Sequence, residues 1–338
     1  MSSHGPKRFS PTRPGSFDFP VVTTSKSNFR RDTARNWVTP RGNLQAGTLA
    51  ALFAVLAFGQ SLSGSAPTIA ACALILLLGL PHGSLDLEII RRERQTGRLA
   101  MVGLLLIYLG LAGAMAAVWK LAPVAALSIF LIVAVVHFAE DWRELKTNFL
   151  AQGMAIALLA APTLLHLTEL EQLFVELSGQ REAAIVANFL LLLAPVSVAI
   201  ASVSVLTLWQ TGFRDQAQAG ALMLVGMILL PPVVGFAVYF CCYHSPRHLG
   251  GALARVSSSP RSRWVILLVT LAALGIAAVL FADAVRVDLS AQAVAASFMT
   301  LSLLTVPHMI VPAVADALAA RRLRAANGRG PAVASRRF

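Results

Sequence analysis

Charged side chains are scarce in this chain. They make up 13% of its 338 residues, about half the share usual in a soluble domain. With 57% hydrophobic residues and a mean hydropathy of +0.70, that shortage excludes a soluble globular protein, because one core cannot absorb so much apolar surface. Cysteine is nearly missing. The three present, Cys72, Cys241 and Cys242, all lie in apolar runs, which argues against a disulfide framework. Polar interruptions long enough for a soluble domain are also missing; the longest, 168–182, is about 15 residues. Acid is short relative to base, 16 Asp and Glu against 28 Lys and Arg.

What remains is a series of apolar stretches, near 45–63, 66–90, 99–119, 122–140, 149–167, 183–209, 219–249, 263–283 and 290–316. Several reach the length of about 20 residues that crosses a bilayer core. In lipid such segments must be helices, since unpaired backbone groups are too costly there. The fold class expected is all-α, a polytopic transmembrane helical bundle.

The excess base is clustered. Residues 1–42 hold eight Lys and Arg against two Asp, the segment after Asp316 holds six Arg and no acid, and "RRERQTGR" (91–98) is a third block. This pattern is read as topology, with Lys and Arg retained on the cytoplasmic side, and not as nucleic-acid binding. Nine full crossings would leave the C-terminal arginines outside. The stretch 149–167, interrupted by Gln152, Pro162 and His166, is the weakest and is expected not to cross fully. About eight spans, with both termini cytoplasmic in the inner membrane, then satisfy the charge rule. The expected division is a disordered basic extension over 1–42, a transmembrane catalytic domain over 43–316 and a basic tail over 317–338.

Histidine carries the chemistry. Of seven, His4 falls in the N-terminal extension and His166 reads as interfacial. The other five lie in "LPHGSLD" (His82), "VVHFAEDW" (His137), "YHSPRH" (His244 and His248) and "TVPHMI" (His308), each within or at the end of an expected span. Ionisable groups at membrane depth are functional candidates by default. Asp86 follows His82 by four residues, Asp141 follows His137 by four, and His248 follows His244 by four. That spacing puts each pair on one helix face. Two imidazoles so placed can chelate one ion, and a carboxylate can accept from a ring nitrogen and fix its tautomer. In the eight-span arrangement His82, His137, His244, His248 and His308 all fall in the cytoplasmic half. His308 has no polar residue four positions on, and its role is left open. Tyr239, Phe240, Tyr243, Phe138 and Trp142 read as packing or interfacial aromatics, with Tyr243 the one nearest the paired histidines.

An imidazole set without thiolate is unlike structural zinc sites and suits zinc, copper, iron or nickel. A metal site inside lipid is reached by oily molecules, which points to an oxygenase. At these residues the chain resembles a known family. "PHGSLD", "HFAEDW", "YFCCYHSPRH" and "TVPHMI", in this order on separate spans, are similar to the Brp/Blh membrane β-carotene dioxygenases, over roughly residues 66–316. The resemblance implies cleavage of β-carotene at its central 15,15′ double bond with O₂ and Fe(2+). The products would be two all-trans-retinal molecules for a microbial rhodopsin. It implies His82, His137, His244 and His248 as iron ligands. Ala139 stands where the family pattern often has glycine, and the N-terminal extension lies outside the shared region.

Three other readings stay open on the residues alone. A bis-histidine haem protein for electron transfer would use the same side chains. A metal-ion transporter would need polar residues along a whole crossing path, whereas here they cluster at one level. A membrane desaturase or hydroxylase would carry adjacent His-His pairs, and the sequence has none.

Overall fold

A computed structural model describes residues 65–79, 85–93, 97–255, 260–283 and 288–327. His82, His4, the stretch 1–42 and the apolar run 45–63 lie outside the described residues, which also end before the last part of the 317–338 tail. All elements among the described residues are helical. In chain order they are α1 (Ser65–Leu74) with a π turn (Ile75–Gly79), α2 (Asp86–Glu93), α3 (Arg98–Leu121) and α4 (Pro123–Ala139) with a 3₁₀ turn (Glu140–Trp142). Then come α5 (Asn148–Ala160), α6 (Thr163–Ser178), α7 (Ala184–Gln210) and α8 (Arg214–Leu229). The chain closes with α9 (Pro232–Val238), a second π turn (Tyr239–His244), α10 (Ser245–Arg255), α11 (Pro260–Asp283) and α12 (Leu289–Asn327).

Four helical segments among the described residues are long and apolar enough to cross a membrane: Arg98–Leu121, Pro123–Trp142, Arg181–Gln210 and Leu289–Arg321. The pair Asn148–Ala160 and Thr163–Ser178, bent by 66°, makes a fifth if counted as one broken span. Shorter apolar helices cover Ser65–Leu78 and Leu267–Ala282. These describe a membrane protein. The described residues do not reach the eight spans expected, and proline is one reason. The run 219–249, read as one span, is divided at Pro231 and Pro232 into α8 and α9, because proline removes a helix donor and its ring clashes with the preceding turn. The last helix also runs past the expected boundary at residue 316, to Asn327.

The break inside 149–178 has a local cause. Pro162 follows α5, and His166 leaves the helical region at φ −127° and ψ 34°. Its Nδ1 lies 3.3 Å from Glu169 Oε1. The acidic stretch after 168, expected as an interruption, is itself helical.

Position in the bundle follows from apolar periodicity. Only 11% of the most apolar window of α3 is buried, against 67% for α12, so α3 faces outward and α12 runs through the core. Trp119 of α3 donates from Nε1 to Ser302 Oγ of α12 at 2.7 Å. Close approach elsewhere depends on small residues, as in other membrane bundles. A Cβ placed on Gly153 of α5 would lie 2.2 Å from Ile200 Cγ2 of α7. One turn from that contact Ser204 Oγ donates across to the Leu150 carbonyl at 3.1 Å.

Candidate metal centre

α4 is apolar from its Pro123 start to its final turn, where His137 appears with 2% of its surface exposed. The helix then tightens into the 3₁₀ turn that carries Asp141, 1% exposed. Asp141 thus sits at the very end of the helix. There it meets the second π turn, which presents Tyr239 and His244, and the first turn of α10, which presents His248.

Asp141 is a buried carboxylate with three donors. Tyr239 donates its hydroxyl to Oδ2 at 2.6 Å. His244 Nδ1 lies 2.9 Å from the same oxygen, and His248 Nε2 lies 3.2 Å from Oδ1. An ionised carboxylate is an acceptor only, so each of these contacts places the hydrogen on the phenol or the imidazole. A buried charge persists only with such partners. For His244 this fixes the tautomer: Nδ1 carries the proton and Nε2 presents its lone pair.

That lone pair points at His137, whose Nε2 is 3.1 Å from His244 Nε2. Four imidazoles gather around this contact. Ring centroids of His137 lie 4.6 Å from His244, 5.1 Å from His248 and 4.9 Å from His308, and His244 and His248 are 4.5 Å apart. His137, His244 and His248 each offer a ligand atom within 4.8 Å of the others, and can hold a metal ion. His308 arrives from the core helix α12 with Nδ1 hydrogen-bonded to Asp86 Oδ2 at the start of α2.

The structure therefore brings together His137, His244, His248 and His308, and sets Asp141 and Asp86 behind them. The carboxylate four residues after His137 serves His244 and His248 on other elements. Tyr243 is packed elsewhere: its ring stacks on Trp142 at 5.2 Å, with the Arg247 guanidinium 5.2 Å from its centroid. Two contributors were not foreseen. Tyr239 completes the Asp141 site, and Arg247 ties α10 to the 3₁₀ turn by donating to the Asp141 carbonyl at 3.2 Å and to Glu144 Oε1 at 3.1 Å. The sequence signal for Tyr239 was the π turn, which changes the spacing of everything from 239 to 244 and is not visible as a residue pattern.

The surroundings are aromatic. Phe240 stacks on His244 at 5.2 Å and 15°, and Phe236 stacks on Phe240 at 5.3 Å and 15°. Phe138 meets His244 edge-on at 5.0 Å. One turn before His137 on α4, Ala134 begins an apolar pocket that Phe236 and Phe298 also line. An imidazole cluster next to an oily pocket is suited to chemistry on a lipophilic molecule.

Comparison with known proteins agrees. The sequence model of a family described as Beta-carotene 15,15'-dioxygenase matches residues 73–316. A protein of an uncultured marine bacterium 66A03, named Beta-carotene 15,15'-dioxygenase, is 30% identical over 259 residues, covering 71% of this chain and 91% of its own length. A Halobacterium salinarum protein named Probable beta-carotene 15,15'-dioxygenase Blh is 28% identical over 341 residues, covering 86% of this chain and 95% of its own. No solved structure matches.

Proposed function

The chain belongs to the beta-carotene 15,15'-dioxygenase family, and from that premise we propose that it splits β-carotene at the central double bond with O₂, giving two all-trans-retinal molecules. It is a carotenoid-cleaving dioxygenase. The bookkeeping of atoms is complete with these reactants: one C=C bond breaks, two C=O bonds form, and each oxygen of O₂ ends on one aldehyde. No external reductant is required.

The metal in this reading is Fe(2+), held by His137, His244 and His248, with His82 as a further ligand on the strength of the sequence alone. The donor set suits it, since imidazole binds iron and leaves the ion's charge uncompensated. The spacing suits it as well. Two nitrogens each about 2.1 Å from one cation stand close to the 3.1 Å that separates His137 Nε2 from His244 Nε2. Iron bound there would supply activation of O₂.

The rest belongs to the protein. Asp141 holds the His244 and His248 rings in place and keeps Nδ1 of His244 protonated. Asp86 does the same for His308. Phe236, Phe240 and Phe138 exclude water and offer a flat apolar wall to a polyene. Orientation of the substrate and exclusion of solvent are the protein's contributions to rate. No general acid or base enters the balance.

The observation that carries this reading is the 3.1 Å contact between the Nε2 atoms of His137 and His244, the second of which is held from its other side by Asp141. Four rings converging on one point also speak against a haem, whose axial ligands stand across a macrocycle. We place the enzyme in the cytoplasmic membrane with both termini inside, on the basis of the Lys and Arg distribution. Its product is the chromophore a retinal-binding rhodopsin would consume.

Expression in a carotene-accumulating bacterium tests the proposal. Orange colour fades and retinal appears on chromatography, while the His244→Ala protein leaves carotene intact. Persistence of carotene beside folded, iron-loaded wild-type protein overturns the substrate assignment.

A further inference from the structure

We propose that the apolar pocket beside the imidazoles is a ruler for one half of the substrate, and that Leu127 and Leu159 at its far end fix which double bond is broken. This rests on the carotene-cleaving reading above and adds the residues that set its position of attack.

Every side chain lining the pocket is apolar, and about 580 Å³ of empty space, open solvent included, lies along it. Its near end, marked by Ala134 and Phe236, lies next to the imidazole cluster without being lined by it. Ala134 is three residues before His137 on α4, and Phe236 reaches His244 through the stack on Phe240. Its far end is set by two helices that leave the imidazole level in the same direction. α4 runs toward that level and α5 runs away from it, the two joined by the short segment that includes the Asp141 turn. The lining residue of α4 most distant from His137 is Leu127, and ten helical residues advance about 15 Å. On α5, Leu159 lies eleven residues past Asn148, an advance of about 16 Å. The 66° bend that follows, with Pro162 also lining the pocket, closes the end.

The two helices thus give comparable lengths. That length matches one end ring plus the conjugated chain up to the middle of a symmetric carotenoid. With the ring seated against Leu127 and Leu159, the central double bond stands at the level of His137. The site needs no group that recognises the centre of the polyene, which is chemically uniform along its length. The position of cleavage is measured from the ring.

The ruler makes a directional prediction. Deepening the far end with Leu127→Ala and Leu159→Ala lets the ring withdraw from the imidazoles. The bond presented then lies beyond the centre, and cleavage gives one aldehyde longer than retinal and one shorter. The atom balance is unchanged, with both oxygens still from O₂. Leu159→Phe fills the end instead and keeps the ring from seating.

Two readouts test this in the full-length protein expressed with β-carotene: the chain lengths of the aldehydes, and the carotene that the purified metal-free protein retains by absorbance. The expected result is retinal alone from wild type, at least about a tenth of the product off-centre from the double alanine variant, and carotene retention reduced about tenfold or more in Leu159→Phe. Retinal alone from the double variant, whatever Leu159→Phe retains, overturns the ruler and leaves the cleavage reading intact. A wild-type protein that retains carotene but makes no retinal, paired with a Leu159→Phe protein that retains none, overturns the cleavage reading and keeps the pocket. If the double alanine variant does not accumulate, the single variants Leu127→Ala and Leu159→Ala are read by the same aldehyde chain lengths, and retinal alone from both overturns the ruler.

Discussion

Asp141 follows His137 by four residues but serves His244, with 2.9 Å between its Oδ2 and the imidazole Nδ1 of a helix more than a hundred residues later. Asp141 sits in the short 3₁₀ turn after α4, where His244 and His248 come up against it. Asp141 is therefore the point at which α4, the second π turn and α10 are tied together.

Replacing it tests that role. Asp141→Asn keeps the volume but offers one acceptor oxygen where three donors converge. Metal affinity falls by about 10–100-fold, in line with other losses of a ligand-orienting partner. Metal content after titration with a competing chelator reads this directly, and wild-type retention would remove Asp141 from the account.

Tyr239→Phe deletes one donor and leaves the two imidazole contacts of Asp141 in place. A hydrogen bond to a buried charge is worth about 1.5–3 kcal/mol. The detergent-solubilised variant is expected to lose that much stability while keeping most of its metal. Metal loss as large as in Asp141→Asn would mean that the phenol, and not the carboxylate, holds the rings.

His308 and Asp86 form a pair that joins α12 to α2. Removing either partner breaks the same contact, so the losses are not additive. His308→Ala, Asp86→Asn and the double variant should each lower metal retention to a similar level, with a coupling of about 0.5–3 kcal/mol. Strict additivity would show that the two act separately.

Gly153→Ala checks the fold apart from the site. The added methyl meets Ile200 at its branched carbon, which cannot swing aside, and overpacking of this kind costs about 1–3 kcal/mol. Gly110→Ala is the control, since nothing lies within 4 Å of its would-be Cβ. Thermal unfolding followed by light scattering separates the two, and equal midpoints would disprove the close approach of α5 and α7.

The histidines were legible because imidazole is rare in lipid-facing sequence and because spacing by four is a local signal. The partners of those histidines were not. The carboxylates stand at the right spacing, yet Asp141 meets histidines more than a hundred residues later, and Asp86 binds a histidine 222 residues away. His308 looked unsupported in "TVPHMI" because its support comes from another helix. The weakness of 149–167 was readable from Pro162 and His166, and the bend falls there. The division at Pro231 was present in the letters but was outweighed by the apolar run around it.

The π turn at Tyr239–His244 sets a length requirement as strict as any side chain. Each residue removed from a helix rotates everything downstream by about 100°, so a single deletion between Tyr239 and His244 would carry His248 off toward a different quadrant. The number of residues in that hexapeptide, as much as their identity, is what brings His248 to Asp141.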